Sequence, residues 1–307
     1  MPRTRAEPFE GRPLLDIASF GRAGPGRRDR IGREDLETIL RTARRAPEVM
    51  VKVLTQGATS SKAAAKHLAY LDRKGELEIE TDDGEKLVGA KAAQAIVDDW
   101  DMDLDEGGFA ASAGSRANHK QARLVHKLIF SMPPGTPPEK VLGAVRVFAR
   151  EEFALRNRYA MVLHTDEPHP HVHVVVKAIG EDGQRLNIRK PTLRRWRHEF
   201  ARRMREQGID ANATERGARG KEGRGLPDGL YRVLARQVGA GPLATEVSRS
   251  NRRVLNEVQR GWTAVAAIVD RENAGRDVAD VVRFISNALR QQTTSVAEKD
   301  EPVGRSR

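Results

Sequence analysis

Four of the chain's eight histidines fall within ten residues, His164, His169, His171 and His173 in the stretch HTDEPHPHVH. Side chains alternate faces along a β-strand, so His171 and His173 project from one side while Val172 and Val174 project from the other. If residues 165–170 form a hairpin loop, His164 lies opposite His171, where directly paired Cβ atoms are about 4.5–5.5 Å apart. Three imidazoles can then converge on one cation and leave further coordination positions open, as catalytic rather than structural sites do. Asp166 lies in the loop and can accept the second ring N–H of a ligating histidine, fixing its tautomer. The chain has no cysteine, so any metal must be held by His, Asp or Glu. Imidazoles suit Zn²⁺, and oxygen ligands from a phosphate would also admit Mn²⁺ or Mg²⁺.

Two other metal readings fail on spacing. A cupin-type site would need a glutamate shortly after the His-x-His pair, where this chain has Lys177 and Ala178. An EF-hand counted from Asp101 needs Gly and Glu at its sixth and twelfth positions, which are Glu106 and Ser112 here.

The substrate class follows from charge. The formal net charge is +11. Between Arg185 and Arg224 thirteen Lys/Arg stand against five Asp/Glu, so this stretch alone carries +8. Such a local excess suits a phosphodiester, whose non-bridging oxygen a cation would polarise as a Lewis acid. The Arg-rich helix RRWRHEFARRMR and the residues leading into it nominate Arg189, Lys190, Arg194, Arg195 and Arg197 as contacts to DNA, either duplex flanks or the cleaved strand. No GxxxxGK[ST] loop is present, so the chemistry should need no nucleotide. A nucleophile is required, and there are three tyrosines. Tyr159 lies on the strand leading to His164 and reads as core; Tyr231, in GLYRVLARQV, reads as surface or helix packing. Tyr70, flanked by His67, Arg73 and Lys74, is favoured.

These residues need elements to position them. Pro47 to Leu54 alternates as a strand, and Ser60 or Ser61 can cap a helix over SKAAAKHLAYLDRKG that Gly75 ends. Residues 76–118 turn acidic, with a short helical run around Lys91 to Trp100, and read as a peripheral insertion. Arg123 to Ser131 reads as a strand, PPGTPP as a turn and Pro138 to Arg156 as an amphipathic helix. Arg158 to His164 and His171 to Lys177 are buried strands of a hairpin. Arg185 to Ile188 reads as a short strand and Pro191 to Gln207 as a helix with Pro near its start. The expected organisation is a basic N-terminal arm over 1–46, partly disordered, a catalytic domain over 47–215, a Gly/Arg linker over 216–225, a helical region over 226–292 and a disordered tail over 293–307. No window approaches the apolar length of a membrane span, and no signal-peptide pattern opens the chain. A soluble, cytoplasmic protein without membrane insertion is expected.

Taken together, SSKAAAKHLAYLDRKG, HKLIFSMPPGTPP and HTDEPHPHVHVVV resemble the three motifs of the MobA/VirD-type relaxases, mobilisation nucleases within the HUH endonucleases. The resemblance covers roughly residues 48 to 220. It implies an α+β fold with a central antiparallel sheet flanked by helices, here with a helical C-terminal extension. It implies Tyr70 as nucleophile, His164, His171 and His173 as ligands of a divalent ion (Mg²⁺ or Mn²⁺, with Zn²⁺ also compatible), and Asp166 as the carboxylate behind them. Where many members carry an asparagine after the metal strand, this chain has Lys177. The implied reaction is nicking of single-stranded DNA at a transfer origin by tyrosine transesterification, giving a 5′-phosphotyrosyl link and a free 3′-OH. Accessory relaxosome proteins and a secretion-system coupling protein are the implied partners. Two rivals are a rolling-circle replication initiator, which usually places its tyrosine after the histidines as Tyr231 would be, and a non-catalytic DNA-binding accessory protein.

Overall fold

The alternating and β-branched runs form strands in the computed structural model, which describes residues 17–21, 30–44, 46–54, 57–113, 123–214 and 242–271. The strands are β1 Met50–Val53, β2 Ile79–Thr81, β3 Lys86–Leu87, β4 Val125–Ser131, β5 Tyr159–His164 and β6 His171–Lys177. They make one antiparallel sheet in the order β1-β4-β6-β5-β2-β3. The helices are α1 Ile17–Phe20, α2 Arg33–Ala43, α3 Ser61–Leu71, α4 Ala92–Asp99, α5 Met102–Ala113, α6 Pro138–Phe153, α7 Lys190–Glu206 and α8 Pro242–Arg271. This is the α+β architecture of an antiparallel sheet with flanking helices that the resemblance implies. Pro47–Ala213 belong to one compact unit, and the described residues of Arg12–Ala46 and Thr214–Arg307 to a second.

Alternation gives the sheet two different faces. Val172 and Val174 of β6 pair with Phe130 and Leu128 of β4, and all four are fully buried. On this face the Phe130 ring meets Phe148 of α6 at 4.9 Å and Phe200 of α7 at 5.3 Å, centroid to centroid. Trp196 of α7 closes the layer against Phe148 and Phe153. The opposite face carries Ala160, Val162 and Val175, which pack with Ala64, Leu68 and Leu71 of α3 and Ile96 and Val97 of α4. Each such aliphatic burial contributes about 1.5–3 kcal/mol, so α3 is held to the sheet by its apolar stripe. His171 and His173 alternate with the buried valines and therefore share the α3 side.

Three differences from the sequence reading have physical causes. Part of the acidic stretch 76–118 is drawn into the sheet as β2 and β3, because β2 pairs with the free edge of β5. Its acidic residues are satisfied by arginines: Arg146 donates to Glu80 at 2.5 and 2.7 Å, and Arg158 donates to Asp82 at 3.0 Å and Asp99 at 2.6 Å. Arg185–Ile188 is not a strand and makes one isolated bridge, Arg185 to Ile179. Both edges of β6 are already occupied by β4 and β5, so that segment has no strand edge to pair along beyond the bridge and the Leu186 N–H bond to the Ala178 carbonyl at 2.8 Å. Within the region read as a basic arm, Ile17, Phe20 and Ile39 are buried with Trp262, Val265, Ile268 and Val269 of α8, making the core of the second unit. Gly261 lets the chains approach there, since a Cβ would stand 2.1 Å from the Ile17 carbonyl oxygen. The expected linker 216–225 and tail 293–307 lie outside the described residues. No described helix is long and apolar enough to cross a membrane.

Candidate active site

The β5–β6 hairpin puts His164 directly opposite His171, with residues 165–170 as its loop. His173, two residues on, faces the same side. The three rings lie 4.7 to 5.2 Å apart, centroid to centroid, and one ligand nitrogen from each falls within 4.8 Å of the others. His164 is buried, while His171 and His173 are half-buried, so the cluster opens to one side.

Backbone carbonyls set two of the tautomers. His164 Nε2 lies 2.8 Å from the Leu71 carbonyl oxygen, and His171 Nδ1 lies 2.9 Å from that of His169. A carbonyl only accepts, so both ring nitrogens donate, which leaves Nδ1 of His164 and Nε2 of His171 with free lone pairs. His173 Nδ1 is buried with no hydrogen-bond partner, an uncompensated polar atom of the kind a missing ligand explains. Burial holds the His173 ring down at about 3, with His164, His171, His67 and Arg73 adding to the effect. His164 is lowered too, mainly by burial. Metal binding requires neutral imidazole, and this environment supplies it. The donor set therefore fits a divalent ion held by His164, His171 and His173.

Tyr70 arrives from α3. Ser60 caps that helix, its Oγ accepting from the Ala63 N–H at 3.1 Å, and Glu106 of α5 accepts from Ser61 N–H at 2.8 Å. Leu68 and Leu71 are buried, whereas Tyr70, on the outward face, is 66% exposed. The helix ends at Leu71, whose carbonyl is the one that His164 holds. Arg73 then reaches back: its guanidinium carbon lies 6.0 Å from the Tyr70 ring centroid, and it donates to the Asp166 carboxylate. Asp166 is thus turned to Arg73 rather than to a ring nitrogen, the carbonyls of Leu71 and His169 having taken that place. His67, one turn before Tyr70, is a further residue here. Its Nε2 is buried and unpartnered, and burial together with Lys127 holds its ring down at about 4.

Tyr159 is a core residue of β5, its hydroxyl pushed up to about 12 by burial and the Asp82 charge. Tyr231 lies outside the described residues. Arg194, Arg195 and Arg197 belong to α7, which packs on the face of the sheet opposite the histidines, and Arg195 is paired with Glu152. Arg189 and Lys190 begin that same helix. Lys177 ends β6 in an ion pair with Asp105 at 3.3 Å.

The nuclease domain of the MobA/VirD2-like relaxases matches residues 85–209, a range that contains all three histidines. The chain is also similar to the T-DNA border endonuclease VirD2 of Rhizobium radiobacter, 28% identical over 62% of this chain and 47% of that protein. Its similarity to the T-DNA border endonuclease VirD2 of Agrobacterium fabrum is 27% identity over 62% of this chain and 44% of that protein. The chain spans less than half the length of these relatives.

Proposed function

We propose, from the match of residues 85–209 to the nuclease domain of the MobA/VirD2-like relaxases, that the protein nicks single-stranded DNA at a transfer origin with Tyr70. The observation that carries this reading is the joint between nucleophile helix and histidine cluster: His164 bonds the carbonyl of Leu71, the residue next to Tyr70. A scissile phosphate seated against the triad would lie within reach of an exposed phenol. His164, His171 and His173 would hold a divalent ion, Mg²⁺ or Mn²⁺ with Zn²⁺ also compatible, which when bound polarises a non-bridging phosphate oxygen.

Tyr70 Oη attacks phosphorus. Its bond to phosphorus forms as the P–O3′ bond breaks, the phenol proton leaves to solvent, and the 3′ oxygen takes up a proton. The product is a 5′-phosphotyrosyl link and a free 3′-OH. One phosphoester replaces another, so the reverse reaction can rejoin the strand without a nucleotide. Conjugative mobilisation is the process this chemistry serves, with relaxosome accessory proteins and a coupling protein as partners in a cytoplasmic setting.

The test is a covalent adduct. Labelled single strands from the element's transfer origin, incubated with the protein and Mn²⁺ or Mg²⁺, should give a band that survives a denaturing gel. It should vanish with EDTA, with Tyr70→Phe and with His171→Ala. DNA binding without any adduct would favour an accessory role instead.

A further inference from the structure

We propose that Arg73 is a catalytic residue that donates to the scissile phosphate, and that Asp166 is the positioning residue that aims it. The proposal deepens the relaxase reading and rests on it.

Arg73 and the next residue, Lys74, have φ of 56° and 62°, both in the left-handed region and neither a glycine. One such residue is uncommon, and two in succession cost free energy that surrounding structure must offset. The turn is fixed by the Lys74 N–H, which donates to the Ala69 carbonyl at 2.8 Å. It folds the chain back over the end of α3 and delivers the Arg73 side chain beside Tyr70 instead of away from it.

The guanidinium touches both parts of the site. Asp166, two residues beyond His164, accepts from Nη2, and the Tyr70 ring lies 6.0 Å away. One side chain thus links the hairpin of the triad to the nucleophile. A guanidinium carries five N–H donors in a planar fork suited to phosphate. Asp166 takes up one nitrogen, and no other protein acceptor for Arg73 occurs among the described residues. The side chain is 36% exposed, so the remaining donors are open to a ligand. Arg146, Arg158 and Arg195 differ, each being committed to one or two carboxylates through two nitrogens.

The reaction calls for such a donor. A phosphodiester carries one negative charge, and attack by the tyrosine oxygen as its proton leaves concentrates a second on the phosphoryl oxygens. Donors fixed beforehand at that position stabilise the transition state more than the bound substrate. Asp166 keeps the guanidinium in place while its own charge is balanced.

The experiment measures single-turnover adduct formation by the full chain on a single-stranded transfer-origin oligonucleotide with Mn²⁺. Arg73→Gln should slow it about 10²–10³-fold, the loss typical of one transition-state donor, while Mn²⁺ affinity measured by calorimetry stays within about threefold. Arg73→Lys should restore part of the rate. Arg73→Gly relieves the left-handed backbone, so it should keep or raise the melting temperature yet remain slow, which separates the guanidinium from the fold. Asp166→Asn should lose less than Arg73→Gln, with recovery in Asp166→Glu. An Arg73→Gln rate within about threefold of the unmodified protein overturns the proposal while the relaxase reading stands. Failure of the unmodified protein to form an adduct sinks both.

Discussion

The Nε2–H of His164 donates to the backbone carbonyl of Leu71 across 2.8 Å, tying the centre of the histidine cluster to the end of the helix that carries Tyr70. The bond does two things at once. It fixes the His164 tautomer with Nδ1 free for a metal, and it sets where the neighbouring tyrosine stands. Packing must hold α3 to the same place. Leu68→Ala, at a fully buried site on α3, should therefore cost about 2–5 kcal/mol of stability and slow adduct formation beyond what the lost folded fraction explains. Urea titration beside single-turnover rates would check this; an unchanged rate per folded molecule would separate α3 packing from nucleophile placement.

The helix cap gives a gentler probe. Ser60→Ala removes the acceptor for the Ala63 N–H and should cost about 1 kcal/mol. Glu106 still binds the Ser61 N–H, so activity should fall only slightly. Denaturant midpoints read the first effect and gel-based rates the second.

Loss of a ligand should act on metal before it acts on fold. His171 and His173 are half-buried, so His171→Ala and His173→Ala should leave the protein folded. Both should weaken Mn²⁺ binding by more than the 10–100-fold or so that losing a supporting partner costs. His164→Ala should also destabilise, because it vacates a buried position and leaves the Leu71 carbonyl unpaired. Calorimetric titration of metal into each variant reads the first effect and thermal melts the second; Mn²⁺ affinity in all three variants equal to that of the unmodified protein would dissolve the proposed centre.

Acid should weaken the metal-free protein. The His67 ring is held at about 4, first by burial and then by Lys127, against about 6.5 in an unfolded chain. The unfolded state thus binds the proton more tightly. The contribution is fully present above pH 6.5 and is lost as pH falls towards 4. The half-buried ring of His126, lowered for the same leading reason, adds in the same direction. In EDTA, stability should drop between pH 7 and pH 5, and His67→Gln should flatten that dependence. An equally steep profile in His67→Gln would assign the effect elsewhere.

Much of this site could be read from spacing. The period of two places His171 and His173 together, and the length of the proline-containing loop sets His164 against His171. The α3 cap at Ser60 was legible for the same local reason. What escaped depends on long-range partners. β2 contains Glu80 and Thr81, polar residues that are buried because Arg146 and Asp83 satisfy them. No local pattern announces such a strand. The turn after Tyr70 escaped as well, since Gly75 marks a stop but α3 ends at Leu71 and two non-glycine residues make the left-handed bend. Composition nominates the α7 arginines as DNA contacts but does not say on which side of the sheet they stand; alternation along β4 and β6 puts α7 on the face opposite the histidines.

The most direct test identifies the atom that becomes bonded to DNA. The adduct formed on a single-stranded transfer-origin oligonucleotide would be digested with trypsin and nuclease, and the nucleotide-bearing peptide sequenced by mass spectrometry. The expected result is a 5′-phosphonucleotide on Tyr70, in the peptide that follows Lys66. A nucleotide on Tyr231, or on no tyrosine at all, would contradict it.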